Sequence, residues 1–357
     1  MLINRIGIIT FHFAYNYGAV LQALALSNFL TNNSYNVKII NYYPPELHHE
    51  YSLNPFDSRS KGEILGKAKL FFKRKRQYAL FDNFVINNLT ITDNVTKDKL
   101  GLLNSDFDCF ITGSDQVWND AFLNDSSPYF LSFVDSEKMS ISYAASFGNK
   151  RISNEISENI KKYLPLFSWV SVRERFGVNI LNLSHINSDL VIDPVFLLSL
   201  DEWLNFQNEN VKEDNFILYY LLRSDKELDE QAIKIASEKN LRIIGIHPTC
   251  QNRSTSNLID IRNDVGPSEF LSLIYETKVI VTNSFHAFAF GLIYKKPVIF
   301  NGTNDLKDRI CDLLNEINYN YSENGMIYID PNKVNYERLI NYVETSKELL
   351  LQELKSN

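Results

Sequence analysis

The sequence predicts an α/β fold with two Rossmann-like domains facing each other across a cleft. Short β-rich runs alternate with helical patterns in the N-terminal half. The alternation restarts after a polar stretch at 200–214, and such alternation implies parallel pairing through crossover connections. A length of 357 residues suits two domains better than one core. Apolar residues make up 45% and charged residues 22%, with 24 Phe and 19 Tyr to bury, which belongs to a globular chain.

The elements follow in order. The run at 6–10 reads as a buried strand, 11–17 as a loop and 18–30 as a helix. The next strand is 37–41, closed by Pro44 and Pro45, and further strands are expected at 107–112, 140–144 and 169–172. Asn205, Asn208, Asn210 and Asp214 make 200–214 a linker region. Beyond it, strands at 216–222, 241–246, 279–282 and 297–300 alternate with helices at 226–239, 267–275 and 285–294. The predicted layout is an N-terminal domain at 1–199 that takes the acceptor, a C-terminal domain at 215–330 that takes the donor, and a terminal segment, 331–357, whose helix packs back on the domains.

A net charge of −7 argues against nucleic acid as a partner and makes any anion site local. Cys109, Cys250 and Cys311 form no Cys-x-x-Cys pair, so zinc and redox chemistry are not expected, and reduced thiols are. The N-terminus lacks the apolar region of a signal peptide, and no run approaches the ~20 apolar residues of a span. The expected location is the cytoplasm. Lys61, Lys67, Lys69, Lys73, Arg74, Lys75 and Arg76 stand against one acid, Glu63, with Ile64, Leu65, Phe71 and Phe72 among them. That region is either a solvated helix face or a contact with the inner face of the membrane or a lipid-linked substrate.

The chemistry-bearing segments sit where strands end. In VIVTNSFHAFAFGLIYKKP, at 279–297, an apolar strand runs into Asn283 and Ser284, then His286 near a helix start. In an open parallel sheet ligands gather at the carboxyl ends of strands, and the next helix offers unpaired N–H groups to a phosphate or carboxylate. His286 either donates to such an anion or acts as an acid; the plainer alternative is a capped helix with a core histidine. In DCFITGSDQVW, at 108–118, Gly113 permits close backbone approach, Ser114 and Asp115 follow, and Gln116 and Trp118 suit a sugar's polar edge and apolar face. In VSVRE, at 170–174, Arg173 can fork onto a carboxylate or phosphate while Glu174 holds it or serves as acid–base partner. Asp193 before Pro194 is another strand-end carboxylate. In FHFAYNYGAVLQ, at 11–22, Asn16, Tyr17 and Gly18 form a turn into a helix, without a Gly-x-Gly-x-x-Gly pattern. His12 reads equally as core or site. Arg253, in a loop after a strand, is a weaker cation candidate, and His48, His49 and Glu50 read as surface.

Taken in order, NYGAVLQALAL, FDCFITGSDQVWN, ISYAASFG, SVRE, IDPVFLL and VTNSFHAFAFGLIYKKPV resemble the polysaccharide pyruvyl transferase family. The resemblance implies a glycosyltransferase-B-like fold and transfer of pyruvate from phosphoenolpyruvate to a sugar diol, with no cofactor or metal. It carries the family's strand-end arginine onto Arg173 and its essential histidine onto His286. Members often have a basic residue two positions before that histidine; here Ser284 stands there, so phosphate binding draws on backbone N–H groups, Arg253, Lys295 or Lys296. The implied site has His286, Asp115 and Glu174 in catalysis. Arg173, Asn283, Ser284, His286, Arg253 and Lys295 would hold the donor, and Asn16, Tyr17, Gly18, Ser114, Asp115, Gln116 and Trp118 the sugar. A nucleotide-sugar glycosyltransferase on the same fold, or a non-catalytic sugar-binding module, is the alternative.

Overall fold

The structure is a computed structural model that describes residues 3–45, 47, 61–247, 257–262, 264–322 and 325–355. The first sheet consists of β1 (Arg5–Ile9), β2 (Asn36–Ile39), β3 (Cys109–Thr112) and β4 (Met139–Ser142) in the order β2-β1-β3-β4, all parallel. β5 (Ser171–Val172) and β6 (Asp189–Leu190) pair with each other, and bridges from Trp169 to Ile141 and from Val172 to Ala145 attach them beside β4. The second sheet has the order β12-β11-β10-β7-β8-β9. Its strands are β7 (Phe216–Tyr220), β8 (Arg242–Ile246), β9 (Ile259–Arg262), β10 (Val279–Thr282), β11 (Val298–Phe300) and β12 (Ile327–Ile329). Only β12 runs antiparallel to its neighbour. β3, β7 and β10 are buried along their whole length, as near-continuous apolar runs covered by helices on both faces must be. In each sheet the strand order reverses beside the first strand, between β1 and β3 and between β7 and β10, the crevice where doubly wound sheets hold ligands.

The helices are α1 (Tyr17–Asn32), α2 (Lys61–Asn88), α3 (Asn154–Tyr163), α4 (Arg175–Leu183), α5 (Leu200–Leu204), α6 (Lys226–Lys239), α7 (Pro267–Glu276), α8 (Phe285–Ile293), α9 (Asn304–Glu316) and α10 (Tyr336–Lys355). α1 is buried almost throughout because it lies between the two sheets. Tyr17 stacks on Phe270 of α7 at 4.5 Å and donates its hydroxyl to Val265 O at 2.8 Å. Gln77 of α2 also crosses, donating to His247 O and Val265 O. On the other side Arg309 of α9 donates to Gly148 O at 3.1 Å and Lys150 pairs with Asp308 at 2.5 Å. α10 reaches back to the first sheet, where Ser346 Oγ accepts from Ile192 N at 3.0 Å.

The polar stretch 200–214 is packed rather than loose. Ser199 and Glu202 form a capping box at the start of α5, and Trp203 is buried, donating to Val195 O and lying edge-on to Phe290. Burial of a Trp contributes on the order of 2–3 kcal/mol, which overrides the loop-like composition around it. The basic segment opens α2. Arg74 is buried, Arg76 pairs with Asp264 at 3.2 Å, and Phe72 and Lys75 are exposed. Among the described residues no helix is long and apolar enough to cross a membrane. Cys109 and Cys311 are free thiols, and burial pushes that of Cys109 far up. Cys250 and the His48–His49–Glu50 cluster lie outside the described residues.

Candidate active site

Three strand ends of the first half, one helix start of the second and the middle of α9 converge on one buried ionic cluster. Its centre is Arg173, directly after β5, whose side chain is 1% exposed. Nη1 bonds to Asp193 Oδ2 at 2.6 Å and to Ser114 Oγ at 3.3 Å, and Nη2 reaches Asp115 Oδ1 at 3.4 Å. The guanidinium also stands 5.6 Å over the Phe285 ring. Burial alone would lower the Arg173 pKa, but Asp193, Asp115 and Glu174 outweigh it and hold the group charged. Asp193 is the reciprocal case. Burial would raise its carboxyl, yet His286 and the Arg173 guanidinium bring it well below the usual carboxylate range.

The geometry explains each placement. Gly113, at φ +110, turns the chain after β3, and Asp115 sits in the left-handed region at φ 70, which costs a non-glycine residue on the order of 1–2 kcal/mol. Asp115 Oδ1 accepts from Gln116 N at 2.8 Å as well as from Arg173. Asp193 Oδ1 accepts from Val195 N at 3.1 Å, so Pro194 opens a short helical turn behind it. His286 lies in the first turn of α8, with Nε2 3.7 Å from Asp193 Oδ2, beyond hydrogen-bond distance. Its other face rests on Gly18 of α1, where a Cβ would overlap the imidazole. Glycine at 18 is what allows the two halves to meet there.

Four buried polar atoms of this cluster have no hydrogen-bond partner: Arg173 Nε, Glu174 Oε2, Arg309 Nε and His286 Nε2. Glu174 Oε1 accepts from Phe147 N at 3.0 Å, while Oε2 lies 3.8 Å from both Arg173 Nε and Arg309 Nε. Buried polar atoms are nearly always paired, so orphans gathered in one place mark a site rather than a packing accident. Above His286, Ser284 caps α8 through Ala287 N at 3.5 Å, and among the described residues the N–H groups of Phe285 and His286 meet no acceptor.

Several predicted placements are corrected. Trp118 does not face a sugar: it is fully buried, stacked on Phe130 at 5.1 Å, and donates to Tyr129 O. Tyr17 is interface core, and Gly18 contacts His286 instead of an acceptor. Ser114 is buried, donating to Ala144 O and serving Arg173, so it meets no sugar. Glu174 is fully buried, which removes it as a base for an incoming hydroxyl and leaves it a partner of the two guanidiniums. Asn283 is spent on the backbone, accepting from Leu222 N and donating to Arg223 O. Lys295 is exposed just past the far end of α8, with its ammonium over the Tyr336 ring, a helix length from His286. Arg253 lies outside the described residues. His12 is core, bonded to Thr10 O and Asn41 Oδ1. Arg309 and the exposed Arg223, next to the Asn283 turn, were not singled out by the sequence reading. Arg309 lies inside a helix, away from any strand-turn-helix pattern; Arg223 lies in the turn between β7 and α6, so the signal of a strand end followed by a helix was there to be used.

The family model for polysaccharide pyruvyl transferases matches residues 16–304, which include every member of this cluster except Arg309. The chain belongs to the polysaccharide pyruvyl transferase family. No curated protein matches the sequence. Among solved structures, the UDP-N-acetylglucosamine 2-epimerase of Rickettsia bellii is 10% identical, with 100% of this chain and 97% of that chain covered at a TM-score of 0.54. The UDP-GlcNAc 2-epimerase of Methanocaldococcus jannaschii is 16% identical over 99% of each chain at a TM-score of 0.47. The Rickettsia likeness shows the fold: two Rossmann-like halves in the glycosyltransferase-B arrangement. Family membership makes the chain a transferase of polysaccharide biosynthesis.

Proposed function

We propose that the protein moves pyruvate from phosphoenolpyruvate to a sugar diol, forming a ketal and releasing phosphate. One observation supports this reading beyond family membership: buried donors from both halves that lack a hydrogen bond, Arg173 Nε, Arg309 Nε and His286 Nε2, gather near helix-start N–H groups that meet no acceptor among the described residues. A small donor with a carboxylate and a phosphate needs several such groups at once. The open amides of Phe285 and His286 and the nearby Arg223 compensate for Ser284 standing where many relatives carry a base.

In this scheme the terminal methylene carbon of the donor takes a proton from solvent, and positive character develops on the adjacent carbon that bears the phosphate oxygen. A sugar hydroxyl attacks there, giving up its proton to Asp115, whose side chain keeps 15% exposure where Glu174 has none. His286 then gives a proton to the departing phosphate as the C–O bond to it breaks, and the second hydroxyl closes the ketal, returning its proton to His286. Asp193 fixes Arg173 and stands beside the imidazole. The scheme calls for no metal or cofactor. A cytoplasmic setting, with a lipid-linked acceptor met at the inner face of the membrane, fits the basic sequence of α2 and its exposed Phe72.

The test is phosphate release from phosphoenolpyruvate in the presence of a sugar panel, run beside a panel of sugar nucleotides. Release of nucleoside diphosphate in place of inorganic phosphate would replace this reading with a glycosyltransferase. His286→Ala separates roles within the scheme: a drop in kcat of about 100-fold with little change in KM assigns an acid. A raised KM with kcat intact assigns an anchor.

A further inference from the structure

Next to the ionic cluster, on the other side of Asp115, lies a cavity of about 120 Å³ lined among others by Phe11, Phe13, Phe122, Asn16, Asp115 and Gln116. Its walls are held in place. Phe13 stacks on Tyr43 at 4.2 Å, and Phe11 sits edge-on to Tyr129 at 5.0 Å. Phe122 is 42% exposed at the rim, on a loop pinned by Asn119, whose side chain accepts from Ala121 N at 3.0 Å. Its ring adds an open aromatic face to the mouth of a cavity whose inner wall carries Phe11 and Phe13.

The polar groups of the cavity are half used. Asp115 spends Oδ1 on Gln116 N and Arg173, leaving Oδ2. Gln116 Oε1 accepts from Asn119, and Asn16 Oδ1 accepts from Gly18 N and Ala19 N. Among the described residues neither amide nitrogen, Gln116 Nε2 nor Asn16 Nδ2, has an acceptor. The lining therefore offers one carboxylate oxygen and two amide donors between aromatic faces. Among the described residues no lysine or arginine lines it, so a phosphate or carboxylate there would face the Asp115 carboxylate with no cation on the cavity wall, Arg173 lying behind Asp115 and already shared with Asp193. A neutral polyol fits: its C–H face covers a ring while its hydroxyls bridge acceptor and donors.

We propose that this cavity binds one neutral hexopyranose ring of the acceptor, stacked on Phe122 and Phe13, with two hydroxyls on Asp115 and Gln116. The assignment rests on the pyruvyl-transfer reading for its meaning, but binding can be measured without turnover. Saturation-transfer NMR on the full chain would use methyl gluco-, galacto- and mannopyranosides, with phosphoenolpyruvate as a separate arm. At least one glycoside should bind, Phe122→Ala should weaken it about tenfold, Phe122→Tyr should restore it, and phosphoenolpyruvate binding should be the same in all three proteins. Phe13→Ala serves as the second wall, with circular dichroism to check folding. Glycosides that bind Phe122→Ala as well as the parent, or no glycoside binding to the parent, would overturn the subsite. Sugar binding lost in Phe122→Ala while phosphoenolpyruvate binds nothing would keep the subsite and remove the pyruvyl-transfer reading.

Discussion

Two strand-to-helix turns, one in each half, flank the crevice where the strand order of their sheet reverses, and they are built differently. After β1, Asn16 caps α1 through Gly18 N at 2.9 Å and Ala19 N at 3.4 Å, and Tyr17 is stacked into the other half. After β10, the Ser284 hydroxyl caps its helix through a 3.5 Å bond from Ala287 N, and His286 Nε2 has no hydrogen-bond partner. Both turns inherit the ligand position of a doubly wound sheet. The first has closed its donors to become the joint between domains; the second keeps them open. Position in the fold nominates a turn, and the state of its N–H groups decides whether it can hold an anion.

The comparison can be broken hardest at Asp193, which stands beside the second turn's histidine and holds the Arg173 charge. Asp193→Ala removes the closest partner of that buried guanidinium and leaves it the more distant Asp115 and Glu174, and we expect a loss of about 3 kcal/mol in urea unfolding. Because the folded carboxyl lies below its ordinary value, its stabilising contribution is complete above the unfolded value of about 4 and fades as pH falls below it. Asp193→Asn should therefore flatten the acid limb of the stability profile. An unchanged acid limb would mean that Arg173 is neutralised elsewhere. Next comes Gly18→Ala, where the new methyl overlaps the His286 ring. We expect about 1–3 kcal/mol from overpacking and a turnover loss larger than that figure alone would bring. Equal turnover would show that the contact between the turns is dispensable. Smaller still is the contrast between caps. Asn16→Ala should cost about 1 kcal/mol in thermal unfolding and Ser284→Ala about half of that or less, given its long bond. A reversal of the order would contradict the division between closed and open turns.

Much of this difference could be read from sequence in one respect and not in another. Apolar runs such as VIVT of β10 and FILYY of β7 announced buried parallel strands, and the predicted helix at 226–239 has the bounds of α6. Local pattern reaches that far because a strand or helix is chosen by its own periodicity. The cluster was legible at Arg173, Asp115 and His286, each at a strand end. It was illegible at Arg309, which meets Gly148 from 161 positions away on a helix whose pattern says nothing of a site. Trp118 and Tyr17 looked like ligand contacts because aromatics next to polar turns serve either use. Only the packing of Phe130 and Phe270 against them assigns them to the core. Trp203 was hidden among asparagines, where one large side chain outweighs the composition of its neighbours.

The smallest expected effect concerns His12, in the loop of the closed turn. Burial lowers its pKa, more than its contacts with Thr10 O and Asn41 Oδ1 raise it. A folded value below the unfolded one of about 6.5 means that stability is fully present above that pH and declines as pH falls toward the folded value. The slope per titrating group cannot exceed about 1.4 kcal/mol per pH unit. Urea midpoints at pH 7.5 and 5.5 should thus fall more for the parent than for His12→Gln, which carries no titrating ring. Equal falls in the two proteins would show that His12 opens to water, so that the loop after β1 is looser than the capped helix behind it and the closed turn is closed only from Asn16 onward.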